Sequence, residues 1–170
     1  MQAANGAWAG EGGYGGTPGY RPLEVVCNVD LVSPAVDVFG AGVIMLQLLT
    51  SRTQFFIQQN AIDALNEFIQ MFGPTRVKRI ARKLGVTISV YNVPALAEAA
   101  DKVISEASII KCLRGMNGAC NPPGYCGPEK NLKFSIEAFD LVSHMLSLDP
   151  AERYTAVTAL DHAFFRHLQH

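Results

Sequence analysis

The sequence predicts an all-α protein, and three observations carry that expectation. Residues 33–50 read SPAVDVFGAGVIMLQLLT, a long apolar stretch with a helix start at its front. Several later segments repeat apolar residues at helical spacing, each bounded by capping residues or by Gly and Pro. Strand-like alternation is confined to one brief piece, Val86 to Val90, and no internal repeat is present.

The first of these stretches is the element around which the rest is arranged. From Ala35 to Leu49, eleven of fifteen residues are apolar and fall on every face, so the sequence predicts a buried central helix. Its length of about 22 Å falls short of the roughly 20 residues that a membrane span needs. Ser33 is placed to cap it and Pro34 suits its first position. Asp37 is the one charge in that first turn. A buried carboxylate there needs partners, either as a helix-dipole and capping group or as a holder of backbone from elsewhere. Gly40 and Gly42 each cost about 1 kcal/mol against Ala in a helix, which predicts close packing of another segment at both.

Ahead of that helix, residues 1–15 are Gly- and Ala-rich and predict a disordered tail. Gly10-Glu11-Gly12-Gly13-Tyr14-Gly15 matches G-x-G-x-x-G literally, but no strand precedes it and no helix opens from it, so it reads as low-complexity sequence. Residues 16–32, with Pro18, Gly19 and Pro22, predict loop and turn.

Behind it, Asn60 to Phe72 predicts an amphipathic helix with Ile62, Leu65, Phe68, Ile69 and Phe72 inward, ended by Gly73 and Pro74. Pro74 to Leu84 predicts another, with Val77, Ile80 and Leu84 inward and Arg76, Lys78, Arg79, Arg82 and Lys83 outward. Such a basic run is more often a solvated face than a phosphate-binding one. Pro94 to about Leu113 predicts a further helix, and residues 114–131 a surface loop rich in Gly, Pro and Asn. Cys112, Cys120 and Cys126 lack the C-x2-C spacing of a zinc site. Two helices close the chain: Ser135 to Leu148, with Ile136, Phe139, Val142, Met145 and Leu146 inward, and Thr155 to about His167, capped by Thr155.

Composition narrows the partners. The 170 residues suffice for one domain with a real core, and a net charge of −1 offers no global field for nucleic acid or anionic membrane. Charged residues are 17%, below the roughly 25% usual for soluble domains, which suggests a surface resting against something else. The irregular cysteine spacing and the absence of a signal peptide predict a reduced, intracellular protein.

Three separated patches together resemble the protein kinase family. Gly16-Thr17-Pro18-Gly19-Tyr20-Arg21-Pro22-Leu23-Glu24 resembles the end of a kinase activation segment. Asp37-Val38-Phe39-Gly40-Ala41-Gly42 resembles the opening of the long helix in the kinase C-terminal lobe. Leu148-Asp149-Pro150-Ala151-Glu152-Arg153-Tyr154-Thr155, with His162-Ala163-Phe164-Phe165, resembles that lobe's closing segment. The stretch MFGPTRVKRIARKLGVTISV and the later KCLRGMN are similar to the replication-initiating, cell-division-cycle-seven type of serine/threonine kinase, with 114–131 as a short version of that type's insert.

The resemblance spans about residues 16–168 and implies an all-α, partial kinase C-terminal lobe. It implies that Thr17, Gly19 and Tyr20 belong to a substrate-docking loop, although Thr17 by itself is a turn hydroxyl. It implies that Glu24 and Arg153 form a structural ion pair, where the residues alone allow two exposed charges. Asp37 is implied to anchor the catalytic loop. The activity implied for the full-length protein is transfer of the γ-phosphate of ATP, with Mg, to Ser or Thr of a protein substrate, together with a regulatory subunit, a nuclear setting and roles in DNA replication and the cell cycle.

Several departures qualify this. The Ala-Pro-Glu of the family is Pro22-Leu23-Glu24, and its Trp and Ser in the central helix are Phe39 and Gly40. This chain contains no glycine loop with a following lysine, no His-Arg-Asp and no Asp-Phe-Gly. The expectation is therefore no catalytic, cofactor-binding or metal residue within these 170 residues and no activity from them alone. The alternatives are an incomplete gene model of a kinase and a catalytically dead interaction module that binds kinase partners or substrates. No direct nucleic-acid or membrane partner is expected.

Overall fold

The computed structural model describes residues 15–30, 33–50, 54–89 and 134–168. In chain order the described elements are α1 (Leu23–Val26), α2 (Ala35–Thr50), α3 (Ala61–Phe72), α4 (Pro74–Lys83), α5 (Ile136–Met145), α6 (Ala156–Leu160) and a 3-10 helix (Ala163–Leu168). The described residues are thus helical and contain no strand beyond a single bridge position at Ile88. The expected tail, the helix over 94–113, the loop 114–131 and the cysteines Cys112, Cys120 and Cys126 lie outside them.

Within the expected loop, the described residues 16–30 are more regular than a run of Pro and Gly suggests. Pro22 is extended, and its carbonyl accepts the N–H groups of Val25 and Val26 at 3.1 and 3.0 Å. That closes one helical turn, α1, which buries Leu23 and Val26.

The central helix departs from the expectation of burial on all sides. Its buried face carries Val38, Phe39, Gly42, Val43, Leu46, Leu49 and Thr50, and α5 packs on it. The opposite face is open: Ile44 is 52% and Leu48 68% exposed, and Asp37 is exposed rather than buried. Apolar composition on every face does not distinguish a side that meets this core from one facing outward. Ser33 Oγ accepts the Ala35 N–H at 3.1 Å, as a helix start requires. Gly42 admits close packing, since a Cβ there would lie 2.9 Å from Met145 Cβ and 3.1 Å from Leu146. Gly40 does not, with nothing within 4 Å of its would-be Cβ.

α3 starts where Asn60 Oδ1 accepts the Asp63 N–H at 2.9 Å, and it buries Leu65, Phe68, Ile69 and Phe72. Ile62, expected inward, is 48% exposed. Gly73 at φ +82° ends α3 and opens α4, which carries Pro74 at its start and buries Val77, Ile80 and Ala81. The core joins these helices through aromatic rings. Phe39 meets Phe68 edge-on at 6.2 Å and Phe56 meets Phe68 at 5.5 Å, contacts worth about 0.5–1.5 kcal/mol each beyond burial.

α5 stops at Met145, three residues earlier than expected, because Leu146 turns out of helical geometry. Ile136, expected inward, sits at its first turn and is 53% exposed. The last expected helix is two pieces. Thr155 caps α6 in a reciprocal box with Thr158. The chain then turns at His162, whose Nδ1 accepts the Phe164 N–H at 3.2 Å, leaving Nε2–H to donate to Asp140 Oδ2 at 3.0 Å. That anchor to α5 redirects the chain into the 3-10 helix. Among the described residues, no helix is long and apolar enough to cross a membrane.

Candidate functional site

The loop ahead of α1 is shaped by two glycines and a turn. Gly16 and Gly19 have φ of +84° and +88°, and the Tyr20 N–H donates to the Thr17 carbonyl at 3.2 Å. Gly19 admits no side chain, because a Cβ there would stand 2.7 Å from the Phe56 carbonyl oxygen. Arg21 Nε donates to the Gly16 carbonyl at 2.9 Å, and the Tyr20 hydroxyl reaches Gln47 Oε1 on α2 at 3.3 Å.

From the other side the loop is held by Gln58, which is 1% exposed. Gln58 Oε1 accepts the N–H groups of Gly19 and Arg21 at 2.9 and 3.2 Å, and Nε2 donates to the Arg21 carbonyl at 2.9 Å. Only this amide orientation satisfies all three bonds. Sequence reasoning missed Gln58. It lies in a loop with no periodic pattern, and the single trace is a glutamine pair after an apolar run.

Behind the loop the structure brings Glu24 and Arg153 together. Arg153 Nη1 donates to Glu24 Oε1 at 2.7 Å and Nη2 to Oε2 at 3.0 Å, a two-pronged pair with both side chains buried. The guanidinium makes two further bonds: Nε donates to the Ser147 carbonyl at 2.9 Å and Nη1 to that of Ala35 at 2.8 Å, and its central carbon lies 5.1 Å from the Phe39 ring centre. One side chain thereby joins α1, the start of α2 and the turn after α5.

Between the loop and α2 opens a concavity of about 510 Å³. Thr17, Tyr20 and Asp37 line it with Gly40, Ala41 and Ile44, so three of the site residues expected from sequence meet there. Gly19 does not; it packs against Phe56 and Gln58. Glu24 and Arg153 stand off the concavity and brace its wall. Among the described residues, Asp37 is the sole carboxylate of its lining, and no group of three or more His, Cys, Asp or Glu could hold a metal ion.

Cys27 is buried, and burial with the nearby Glu24 charge pushes its thiol up to about 12, which disfavours the thiolate. The basic run on α4 is not a uniform free stripe. Lys83 Nζ is 2.7 Å from Asp149 Oδ2 and 3.5 Å from Glu152 Oε1, and Arg76 also has a partner.

Residues 11–165 match the family model described as protein kinase domain. The chain is 32% identical to the Drosophila melanogaster "non-specific serine/threonine protein kinase Cdc7", covering 88% of this chain and 25% of that protein. It is also 32% identical to the Schizosaccharomyces pombe "Cell cycle serine/threonine-protein kinase hsk1", over 88% of this chain and 28% of the relative. With the Mus musculus "Cell division cycle 7-related protein kinase" the identity is 27%, over 89% and 35%. The chain thus spans only about a quarter to a third of the length of these curated relatives. It belongs to the protein kinase family.

Proposed function

With that membership as premise, we propose that these residues form the substrate-docking part of the C-terminal lobe of a serine/threonine kinase. The full-length protein would transfer the γ-phosphate of ATP, with Mg, to Ser or Thr of protein substrates in cell-cycle control and DNA replication. The observation that carries this reading is the buried Glu24–Arg153 fork, which braces a loop presenting Thr17 and Tyr20 on one concavity with Asp37. Asp37, the residue implied to anchor the catalytic loop, lines the same concavity.

In this reading the chain's own residues bind and orient. Thr17 and Tyr20 contact the substrate backbone, Gly19 lets the loop pass close to Phe56, and Asp37 accepts hydrogen bonds from the catalytic loop. ATP and Mg are held elsewhere in the full-length polypeptide and supply the transferred phosphoryl group and its charge neutralisation. The 170 residues alone are inactive, since positioning and neutralisation are the whole of that chemistry. A nuclear setting and a regulatory subunit belong to this proposal through the resemblance to the cell-division-cycle-seven type alone.

A second reading, a catalytically dead module that binds kinase partners, draws on the open apolar face at Ile44 and Leu48. Sequencing the transcript upstream of residue 16 separates the two. An open reading frame encoding His-Arg-Asp and Asp-Phe-Gly supports the kinase, and stop codons there support the module.

A further inference from the structure

Gln58 does more than fill a gap under the docking loop. Its amide takes the place of a neighbouring strand, accepting from Gly19 and Arg21 and donating back to Arg21. Gln58 thus pins the residues on either side of Tyr20, while the Tyr20 N–H itself donates to the Thr17 carbonyl. The Tyr20 hydroxyl reaches Gln47 on α2.

Gln58 is itself held in a posture that an unconstrained glutamine avoids. Its φ is +49°, in the left-handed region that L side chains disfavour. Glu67 on α3 sustains it: the Glu67 carboxylate accepts the Ile57 N–H through both oxygens at 3.1 Å and the Gln58 N–H at 3.2 Å. A local strain maintained by surrounding bonds is the signature of an arrangement kept for its geometry.

We propose that Gln58 is a positioning residue for the peptide-docking loop, with Glu67 acting through it, so that α3 sets the shape of the surface a substrate peptide meets. This rests on the docking reading above and deepens it.

The test uses the full-length polypeptide carrying these residues, with a Ser-containing peptide as substrate, and compares Gln58→Ala, Gln58→Asn and Glu67→Gln with wild type. Asn tolerates the left-handed backbone but is too short to reach the loop, so it separates relief of strain from loss of the clamp. Gln59→Ala, at an exposed neighbour, is the control. Hydrogen exchange of the Gly19 and Arg21 amides and steady-state kinetics are both read. The expected result is faster exchange at those two amides in the Gln58 variants, with KM for the peptide raised about ten-fold and kcat within about two-fold. Glu67→Gln should give the same pattern, smaller. The Leu65 and Phe68 amides report whether α3 still folds.

Unchanged exchange at Gly19 and Arg21 overturns the clamp. Faster exchange with an unchanged KM overturns the positioning role. A wild-type protein that transfers no phosphate, yet protects Gly19 and Arg21 through Gln58, overturns the docking reading and with it the kinetic role, while the clamp stands.

Discussion

Glu24 and Arg153 stand 129 positions apart in sequence and meet in a buried fork at 2.7 and 3.0 Å. Removing one partner leaves an uncompensated buried charge, which costs on the order of 3–5 kcal/mol. Arg153 also satisfies the Ser147 and Ala35 carbonyls, so Arg153→Met should destabilise more than Glu24→Gln. The double variant should cost clearly less than the sum of the two, since no charge remains stranded. Urea unfolding of the four proteins measures this; additive losses would mean that the two side chains do not stabilise each other.

The two glycines of α2 should respond in opposite directions. Gly42→Ala drives a methyl to 2.9 Å from Met145 Cβ and should destabilise by about 1–3 kcal/mol. Gly40→Ala meets nothing within 4 Å and should stabilise by about 0.5–1 kcal/mol through helix propensity. The same unfolding assay on the 170-residue chain reads both. A destabilised Gly40→Ala would mean that some segment packs into the concavity.

Asp149 has a pH signature. Burial raises its carboxyl, but the Lys83 hydrogen bond, the Ala151 N–H and the charges of Lys83 and Arg153 outweigh that and hold it below its usual 3.8. A depressed carboxyl contributes stability that is present above the unfolded value and lost as pH falls through the lower folded one. Lys83 is raised above 10.5, first by its hydrogen bond to Asp149, so its share is lost only as pH climbs beyond that. Asp149→Asn should therefore lower stability at neutral pH and flatten the acid limb below about pH 4. An acid limb identical to wild type would contradict this.

Asp37 should be nearly silent in stability. It is exposed, and its carboxylate has no side-chain hydrogen bond or ion pair among the described residues. Asp37→Asn in the 170-residue chain should shift unfolding by less than about 0.5 kcal/mol. A loss of several kcal/mol would show that the carboxylate has partners inside this chain.

How much of this was legible in the sequence depended on how local the cause was. The start of α3 at Asn60 and the α3–α4 break at Gly73-Pro74 were readable, because caps and breakers act within a few residues. The Glu24–Arg153 pair needed the family resemblance, since nothing local links them. The outward face of α2 was not readable, because Ile44 and Leu48 look like Leu46 until the neighbours are placed. The break at His162 depends on its reach to Asp140, and Gln58 works through a left-handed backbone that no pattern announces.

The central claim is that these residues dock substrate for phosphoryl transfer performed by a longer polypeptide. The most direct measurement is transfer of label from γ-labelled ATP, with Mg, to a protein substrate, followed by phosphoamino-acid analysis. It compares the full-length polypeptide with residues 1–170 alone. The account predicts label on Ser or Thr from the full-length protein and none from the 170 residues. Transfer by the 170 residues alone, or none from the full-length protein, would contradict it.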